Sequence, residues 1–486
     1  MKKVGTFFLL FTGLVILVLL GLLVRSLTIA SRQISVAENT WQAPDDAVVR
    51  LSEAITYRTI THADPADMDT LAFLRFQTFL EERFPMIAGR LVRERIGLSL
   101  LYTWRGSNPS LRPALLMAHQ DVVPADDSLS WSALPFSGEV KNGYIYGRGS
   151  LDIKSGILGI MEAVEALLAE GFVPEQTIYL AFGHDEESGA GTGAEEIVTL
   201  LKNRSIRLDY VLDEGGLILK EALPGLKEPV ALIGIAEKGY MNIRITARAD
   251  GGHSSMPGKT SAVTRLSEAI VNMQKQPFPG RLEGPLRELF AFTSPEMSYP
   301  FRLLFANPEI FGGLIKNQME ASPSGNAILR TTTAVTMLQG SSKENVIPPA
   351  ASATANLRLL PGTTADDVIR YLNQVIGDTA VQLEVLSYQA ASPVSSSGSV
   401  AFENIRRSVK AVFPNTVSGP YLLVALTDSR HFADIADNVY RFHPAVYDKA
   451  DLKRLHGRDE RISVENYLQS IAFYRLLLLG SGSGSK

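Results

Sequence analysis

Three short apolar runs in this chain each lead into a histidine or an acid. Residues 114–118 run into His119, residues 177–182 lead to the pair Glu186 and Glu187, and residues 210–212 end on Asp213. An apolar run without alternation is what a strand buried on both faces requires. Helical patterns lie between the runs, at residues 155–170, closed by the C-cap signal Gly171, and at residues 194–202. Strands alternating with helices predict βαβ units and a mixed, mostly parallel α/β sheet. In an open sheet of that kind ligands gather beyond the carboxyl ends of the strands. Residues far apart in sequence therefore converge on one crevice.

Seven residues are candidates for that crevice: His119 and Asp121 in MAHQD, Asp152 in GRGSLDIKSG, Glu186 and Glu187 in HDEESG, Asp213 in LDEGG, and His456 in HGRDE. All are imidazoles or carboxylates, and the chain has no cysteine, so no thiolate can ligate a metal. Mixed His/Asp/Glu ligation suits zinc. Two metals side by side clamp an attacking water and a substrate oxygen. Competing readings remain open residue by residue. Asp152 precedes a helix and could be its N-cap, and Asp185, Glu186 and Glu187 could form a solvated acidic loop.

The segments AHQDVVP, WSALPFSG, IYGRGSLDIKSG, GHDEESG, DEGG, GGHSSMP, ENVIPPA, ANLRLLPGT, TDSRHF and HGRDE, in this order, resemble those of the M20 family of metallopeptidases and amidohydrolases. The likeness is greatest to the branch holding yeast-type carboxypeptidase S and the secreted N-fatty-acyl-amino-acid synthase/hydrolase. It runs from about Ala43 to about Leu478. The residue after Asp152 is Ile153, where the family often has Asp or Met.

The resemblance implies two zinc ions per chain, with Co2+ or Mn2+ as substitutes. One would be held by His119, Asp152 and Asp213, the other by Asp152, Glu187 and His456, with a water between them. Asp121 would support His119, and Glu186 would be the general base. It implies a cis peptide after Asp152. It also implies that His253, in GGHSS, reaches across a homodimer to polarise the scissile carbonyl. Asn345 and Arg358 match positions that contact substrate, with Arg358 gripping a carboxylate, and Arg430 is a further candidate. His62, His184, His431 and His443 read as non-ligands.

The rest of the chain is read from its own pattern. At 486 residues two domains are expected. After Lys2 and Lys3, residues 4–24 are uncharged and almost wholly apolar, long enough to span a bilayer. A cleaved signal peptide is the alternative, and length favours the anchor. Either reading puts the catalytic part outside the cytoplasm: membrane-anchored with an extracytoplasmic domain, or secreted or periplasmic. Residues 25–44 read as a linker. Residues 45–236 and 391–480 read as two parts of the catalytic, zinc-peptidase-like domain, and 481–486 as a flexible tail. Between those parts, residues 237–390 show the order β-α-β-β-α-β of a ferredoxin-like α+β domain, expected to serve as lid and dimerisation domain. An insert at about 277–326, rich in Pro, Phe and Leu, could shape a lipophilic pocket or pack against the catalytic domain. Net charge is −4, which gives no reason to expect a nucleic-acid partner.

The activity implied is cleavage, or formation, of the amide bond of N-acyl or N-fatty-acyl amino acids. The alternative is removal of C-terminal residues from short peptides. A non-catalytic binding protein on the same fold is the rival from another class; a complete metal set together with Glu186 argues against it.

Overall fold

The structure is a computed structural model and describes residues 2–62, 64–126, 128–189 and 191–481; of the expected tail, residues 482–486 lie outside them. A ten-stranded mixed sheet forms the larger body. At its centre Ile178–Gly183, Ala114–His119, Leu208–Asp213 and Ala436–Arg441 run parallel to one another. Ser99–Trp104 and Val92–Ile96 extend one side antiparallel. On the other side Val230–Glu237 pairs with Val417–Leu423 in parallel and with Leu217–Leu219 antiparallel.

Every residue of the strands Ala114–His119 and Ile178–Gly183 is buried. Side chains on a strand alternate between its faces, and here they enter two different cores. Leu116, Ala118, Leu180 and Phe182 pack with Ile157, Met161 and Val164 of helix Lys154–Ala169. Leu115, Met117, Tyr179 and Ala181 pack with Ile197, Val198 and Leu201 of helix Thr192–Asn203. Coverage on both faces is why these runs show no polar alternation. Helix Val464–Gly480 lies on Lys154–Ala169 so closely that a Cβ on Gly159 would stand 3.1 Å from Ser470 Oγ.

A second, four-stranded antiparallel sheet has the order Thr332–Gln339, Ala350–Leu359, Gly239–Arg248, Val381–Gln389. That is the ferredoxin-like strand order. Helices Ala262–Lys275 and Ala365–Ile376 contribute Leu266 and Leu372 to its own core, with Met241, Ile243, Ile245 and Leu357. The chain passes from one sheet to the other at Lys238, whose buried ammonium donates to Ala327 O at 2.8 Å and Arg330 O at 2.7 Å. Beside it Glu237 and Arg441, both fully buried, form an ion pair at 2.5 Å.

The apolar insert folds into helices Pro285–Thr293, Phe301–Phe305, Pro308–Glu320 and Pro323–Leu329. Leu286, Leu289 and Phe290 pack on Val230, Leu232 and Val417 of the large sheet. Of the two readings of this segment, packing accounts for its buried face. The stretch read as a linker is also held to the body. Gln33 donates to Phe292 O and Ser418 O, each at 3.0 Å, and the Arg475 guanidinium stacks over Trp41. Helix Lys2–Thr28 contains an apolar segment, Leu9–Thr28, with mean hydropathy 2.4, long and apolar enough to cross a membrane.

Candidate metal centre

The carboxyl ends of the central strands deliver the site. His119 is the last residue of its strand, and its Nε2 lies 3.1 Å from Asp152 Oδ1. The other Asp152 oxygen, Oδ2, lies 3.1 Å from His456 Nε2. One carboxylate thus stands between two imidazoles. Glu187 Oε2 is 3.2 Å from the same His456 nitrogen. Two groups of donors result, His119 with Asp152 and Glu214, and Asp152 with Glu187 and His456; within each, the donor atoms lie within 4.8 Å of one another. Asp152 belongs to both.

The local backbone is shaped for this. The Asp152–Ile153 peptide is cis, as the resemblance implied. Helix Lys154–Ala169 starts from Ile153 without a side-chain cap, so the competing N-cap role for Asp152 is not realised. His456 sits at φ +57°. Asp121 does more than back His119. Its carboxylate accepts from Thr61 Oγ1 at 2.7 Å and from the amides of Glu186 and Glu187 at 3.3 and 3.0 Å. His119 Nδ1 bonds the Asp121 main-chain oxygen at 2.9 Å and lies 3.4 Å from its carboxylate, so the one residue positions both the histidine and the turn that carries the two glutamates.

Asp213 was expected among the metal donors, with Glu214 left in the loop. Among the described residues it is the Glu214 carboxylate that lies within 4.8 Å of the His119 and Asp152 donor atoms. Asp213 ends its strand, and its Oδ2 accepts from the Ser429 amide at 2.9 Å. Its neighbour, just past the strand, joins His119 and Asp152. Successive side chains on extended backbone point to opposite sides, so only one of the two can enter the crevice. Glu214→Gln is expected to lower the bound divalent metal by about one ion per chain, since a four-coordinate site loses one of its few protein ligands. Asp213→Asn is expected to leave the count unchanged. Elemental analysis of the two purified variants distinguishes them.

Two residues were not singled out from the sequence although their motifs were. Glu460, at the end of HGRDE, is fully buried; its Oε1 accepts from the amides of Gly149, Leu151 and Asp152 at 2.9, 2.8 and 3.2 Å. Its Oε2 pairs with Arg148 at 2.6 Å, and Arg148 in turn donates to His456 O. This ion pair ties the loop of Asp152 to the loop of His456. Only the position of Glu460, four residues after a candidate ligand, could have flagged it.

The electrostatics ask for cations. Burial raises Glu186 well above the ordinary carboxylate range, with Glu214, Asp428 and Glu187 adding to the rise. Burial and the neighbouring Asp152 charge raise both Glu214 and Glu187. Against the cost of burial, hydrogen bonds from His119 and His456 hold Asp152 below its usual range. Glu187 Oε1 is buried with no hydrogen-bond partner. Four crowded carboxylates with one orphaned oxygen are costly unless positive charge compensates them, and an all-nitrogen-and-oxygen donor set suits divalent zinc, cobalt or manganese. The residues fit a pair of such ions.

Asp152, Glu187, Glu214 and His456, with Glu186, line a cleft of about 250 Å³ whose walls include Leu217, Leu423, Leu426 and Leu455. The other histidines stand apart from both donor groups. His443 bonds Tyr447 Oη at 2.8 Å, and burial lowers it to about 4. His184 bonds Ser99 Oγ at 2.7 Å, and His431 faces Glu195. His253 is exposed in the short strand Gly252–His253, where its ring bonds Ser255. Asn345 lies next to it, accepting from the Ser254 amide at 3.1 Å. The structure brings those two together in the second sheet's domain and not with the metal donors. Arg358 is half-buried, stacked 4.9 Å over the Tyr240 ring. Arg430 donates to Thr427 O at 2.9 Å, in the turn that also holds Asp428 and Ser429.

The sequence and the fold match those of one family of known proteins. Residues 115–480 match the profile of peptidase family M20/M25/M40. A probable carboxypeptidase S-like 2 of Dictyostelium discoideum is 39% identical over 88% of this chain and 84% of its own length. The human N-fatty-acyl-amino acid synthase/hydrolase PM20D1 is 38% identical over 87% of this chain and 85% of its own. Among solved structures, an M20 family metallo-carboxypeptidase from Sulfolobus solfataricus superposes with a TM-score of 0.63 at 18% identity, covering 90% of this chain and 99% of that one.

Proposed function

The chain is a metallo-hydrolase belonging to peptidase family M20/M25/M40, and from that premise we propose that it cleaves the amide bond of N-acyl amino acids, N-fatty-acyl amino acids among them. By microscopic reversibility it can also form that bond. The observation that carries the reading is the shared carboxylate: Asp152 3.1 Å from each of two imidazoles, with Glu187 and Glu214 flanking it. His119, Asp152 and Glu214 would hold one zinc, and Asp152, Glu187 and His456 the other. Such a pair of ions, when bound, supplies Lewis-acid polarisation of a carbonyl oxygen and lowers the pKa of water.

The remaining chemistry belongs to side chains. Glu186 accepts the proton of the attacking water and hands it to the leaving amine. Its raised carboxyl suits both directions of transfer. Asp121 keeps His119 and the Glu186 turn in register. Two kinds of relative support the substrate class, since N-fatty-acyl-amino acid hydrolases and carboxypeptidases both act beside a C-terminal amino acid. The leucines lining the cleft favour an apolar acyl group; the carboxypeptidase S-like relative keeps short peptides as the second reading. Metal-replete enzyme assayed against N-acyl amino acids of graded chain length and against dipeptides decides between them. Activity on neither, with two metals bound, would overturn the substrate class.

Arg358 would grip the substrate carboxylate. Burial pulls its guanidinium below the usual value, and no ion pair links it to an acid among the described residues, so it is free to take one from substrate. Its planar fork makes two parallel bonds where lysine makes a point contact. Arg358→Lys is therefore expected to raise KM for free-acid substrates at least about tenfold, or ~1.4 kcal/mol, and to change the methyl ester little. Equal losses on acid and ester would make Arg358 structural and turn attention to Arg430.

We also read the protein as a homodimer through the second sheet's domain, with His253 of one protomer serving the crevice of the other as an oxyanion donor. Its exposure and its distance in sequence from the donor groups support this. Mixing inactive His253→Ala with inactive Glu186→Gln chains should restore partial activity. No recovery in demonstrably mixed dimers would refute the exchange. The N-terminal helix is read as an anchor that carries the catalytic body outside the cytoplasm.

A further inference from the structure

The N-terminal helix does not simply lead away from the body. Its last two turns are clasped by the apolar insert. Asn307 Nδ2 donates to Leu22 O at 3.4 Å, Arg25 pairs with Glu309 at 3.1 Å, and Ser26, fully buried, shares a 2.5 Å hydrogen bond with the Tyr299 hydroxyl. Arg302 reaches Ile29 O at 3.5 Å. The insert is thus held against residues 22–29, where the apolar segment Leu9–Thr28 ends.

That depth has a meaning if the helix crosses a bilayer. From Lys3 to Arg25 an α-helix rises roughly 33 Å, close to the hydrocarbon thickness of a membrane. Whatever packs against Leu22 and Arg25 then lies where hydrocarbon meets headgroups. Helix Pro308–Glu320 starts there. One of its faces is committed: Phe311, Ile315 and Met319 pack into the insert's core. Its flank presents Ile310 and Leu314, one turn apart, at 61% and 60% exposure, beside Glu309, which is held by Arg25 and Arg287. On the anchor itself Leu20, Leu23 and Leu27 are exposed as well. The insert and the helix that it clasps thus both leave apolar side chains exposed, and the Arg25–Glu309 pair joins them one residue before Ile310.

We propose that helix Pro308–Glu320 is a second membrane contact, lying in the boundary of the same bilayer with Ile310 and Leu314 inserted among the acyl chains. Interfacial helices bury such side chains about 5–10 Å into that boundary. Two contacts, one spanning and one lying flat, fix the tilt of the body over the membrane where one flexible stalk would not. The inference rests on the reading of the N-terminal helix as an anchor.

The chain has no cysteine, so single cysteines can be labelled in the full-length, zinc-replete protein reconstituted in phosphatidylcholine nanodiscs. Ile310→Cys and Leu314→Cys would carry an environment-sensitive fluorophore. Ile16→Cys reports on the anchor. Val92→Cys, exposed on the strand at the opposite end of the large sheet from Val417–Leu423, reports on the body. Nitroxide lipids with shallow or deep spin labels are the quenchers. Labels at 310 and 314 should lose fluorescence to the shallow nitroxide, the label at 16 to the deep one, and the label at 92 to neither. Quenching at 16 with labels at 310 and 314 as bright as at 92 would overturn this proposal and leave the anchor intact. No quenching at 16 would overturn the anchor reading, and this proposal with it.

Discussion

Glu186→Gln is expected to lower kcat by roughly 10³-fold, the scale of a lost general base, while metal content stays at the wild-type level. Glutamine keeps the volume and an acceptor oxygen but cannot take the proton from water. Glu186 belongs to neither donor group, so removing its charge should not release metal. Its backbone amide, not its side chain, is what Asp121 holds, so the turn should also persist. Glu187→Gln is the necessary contrast: Glu187 contacts His456 at 3.2 Å, and its loss should weaken one metal site. Steady-state kinetics with elemental analysis on both variants checks the pair. A near-normal kcat in Glu186→Gln would assign the base elsewhere.

Glu460→Ala should have the largest effect on the fold around the site. The Arg148–Glu460 pair is almost wholly buried, with side-chain exposures of 3% and 0%. Removing one partner of such a pair costs about 3–5 kcal/mol, because the other charge is left buried and uncompensated. Three amides of the loop that carries Asp152 also lose their acceptor. The variant should therefore unfold at lower denaturant and bind divalent metal more weakly, although Glu460 is a member of neither donor group. Glu460→Gln keeps an acceptor for the amides and loses only the charge. It should fall between wild type and alanine in stability and retain more metal than alanine. Denaturation midpoints and metal titrations of the two variants test this. A Glu460→Ala chain with wild-type midpoint and affinity would show that the pair does not tie the loops.

Much of this was legible in the residues. Runs without alternation marked strands buried on both faces, and the acids and histidines at their ends marked the crevice. The two-residue period of Gly239–Arg248 and the helices around Leu266 and Leu372 marked a second sheet with its own core. These readings depend on local periodicity, which the chain carries in its own order. Other features could not be read in that way. Asp213 and Glu214 are adjacent acids, and which one enters the crevice depends on where extended backbone ends after the strand, set by pairing with Ala436–Arg441 and by the Ser429 amide 216 positions away. Glu460 carries no local signal of its role, which depends on the amides of Gly149, Leu151 and Asp152 more than 300 positions away. The stretch after the N-terminal helix reads as a linker because the contacts that hold it to the body, among them those to Phe292, Ser418 and Arg475, are with distant residues.

By itself the sequence determined the chemistry available: which donors exist, that none is a thiolate, that two sheets form, and that one segment is apolar enough to cross a membrane. The tertiary structure alone decided which donors share an ion-sized space, which acids instead serve the backbone, and which helix stands beside the apolar N-terminal one. The physical reason is range. Strand and helix patterns follow from neighbours within a turn or two, whereas a metal group needs atoms within a few ångströms, contributed here by positions as far apart as His119 and His456.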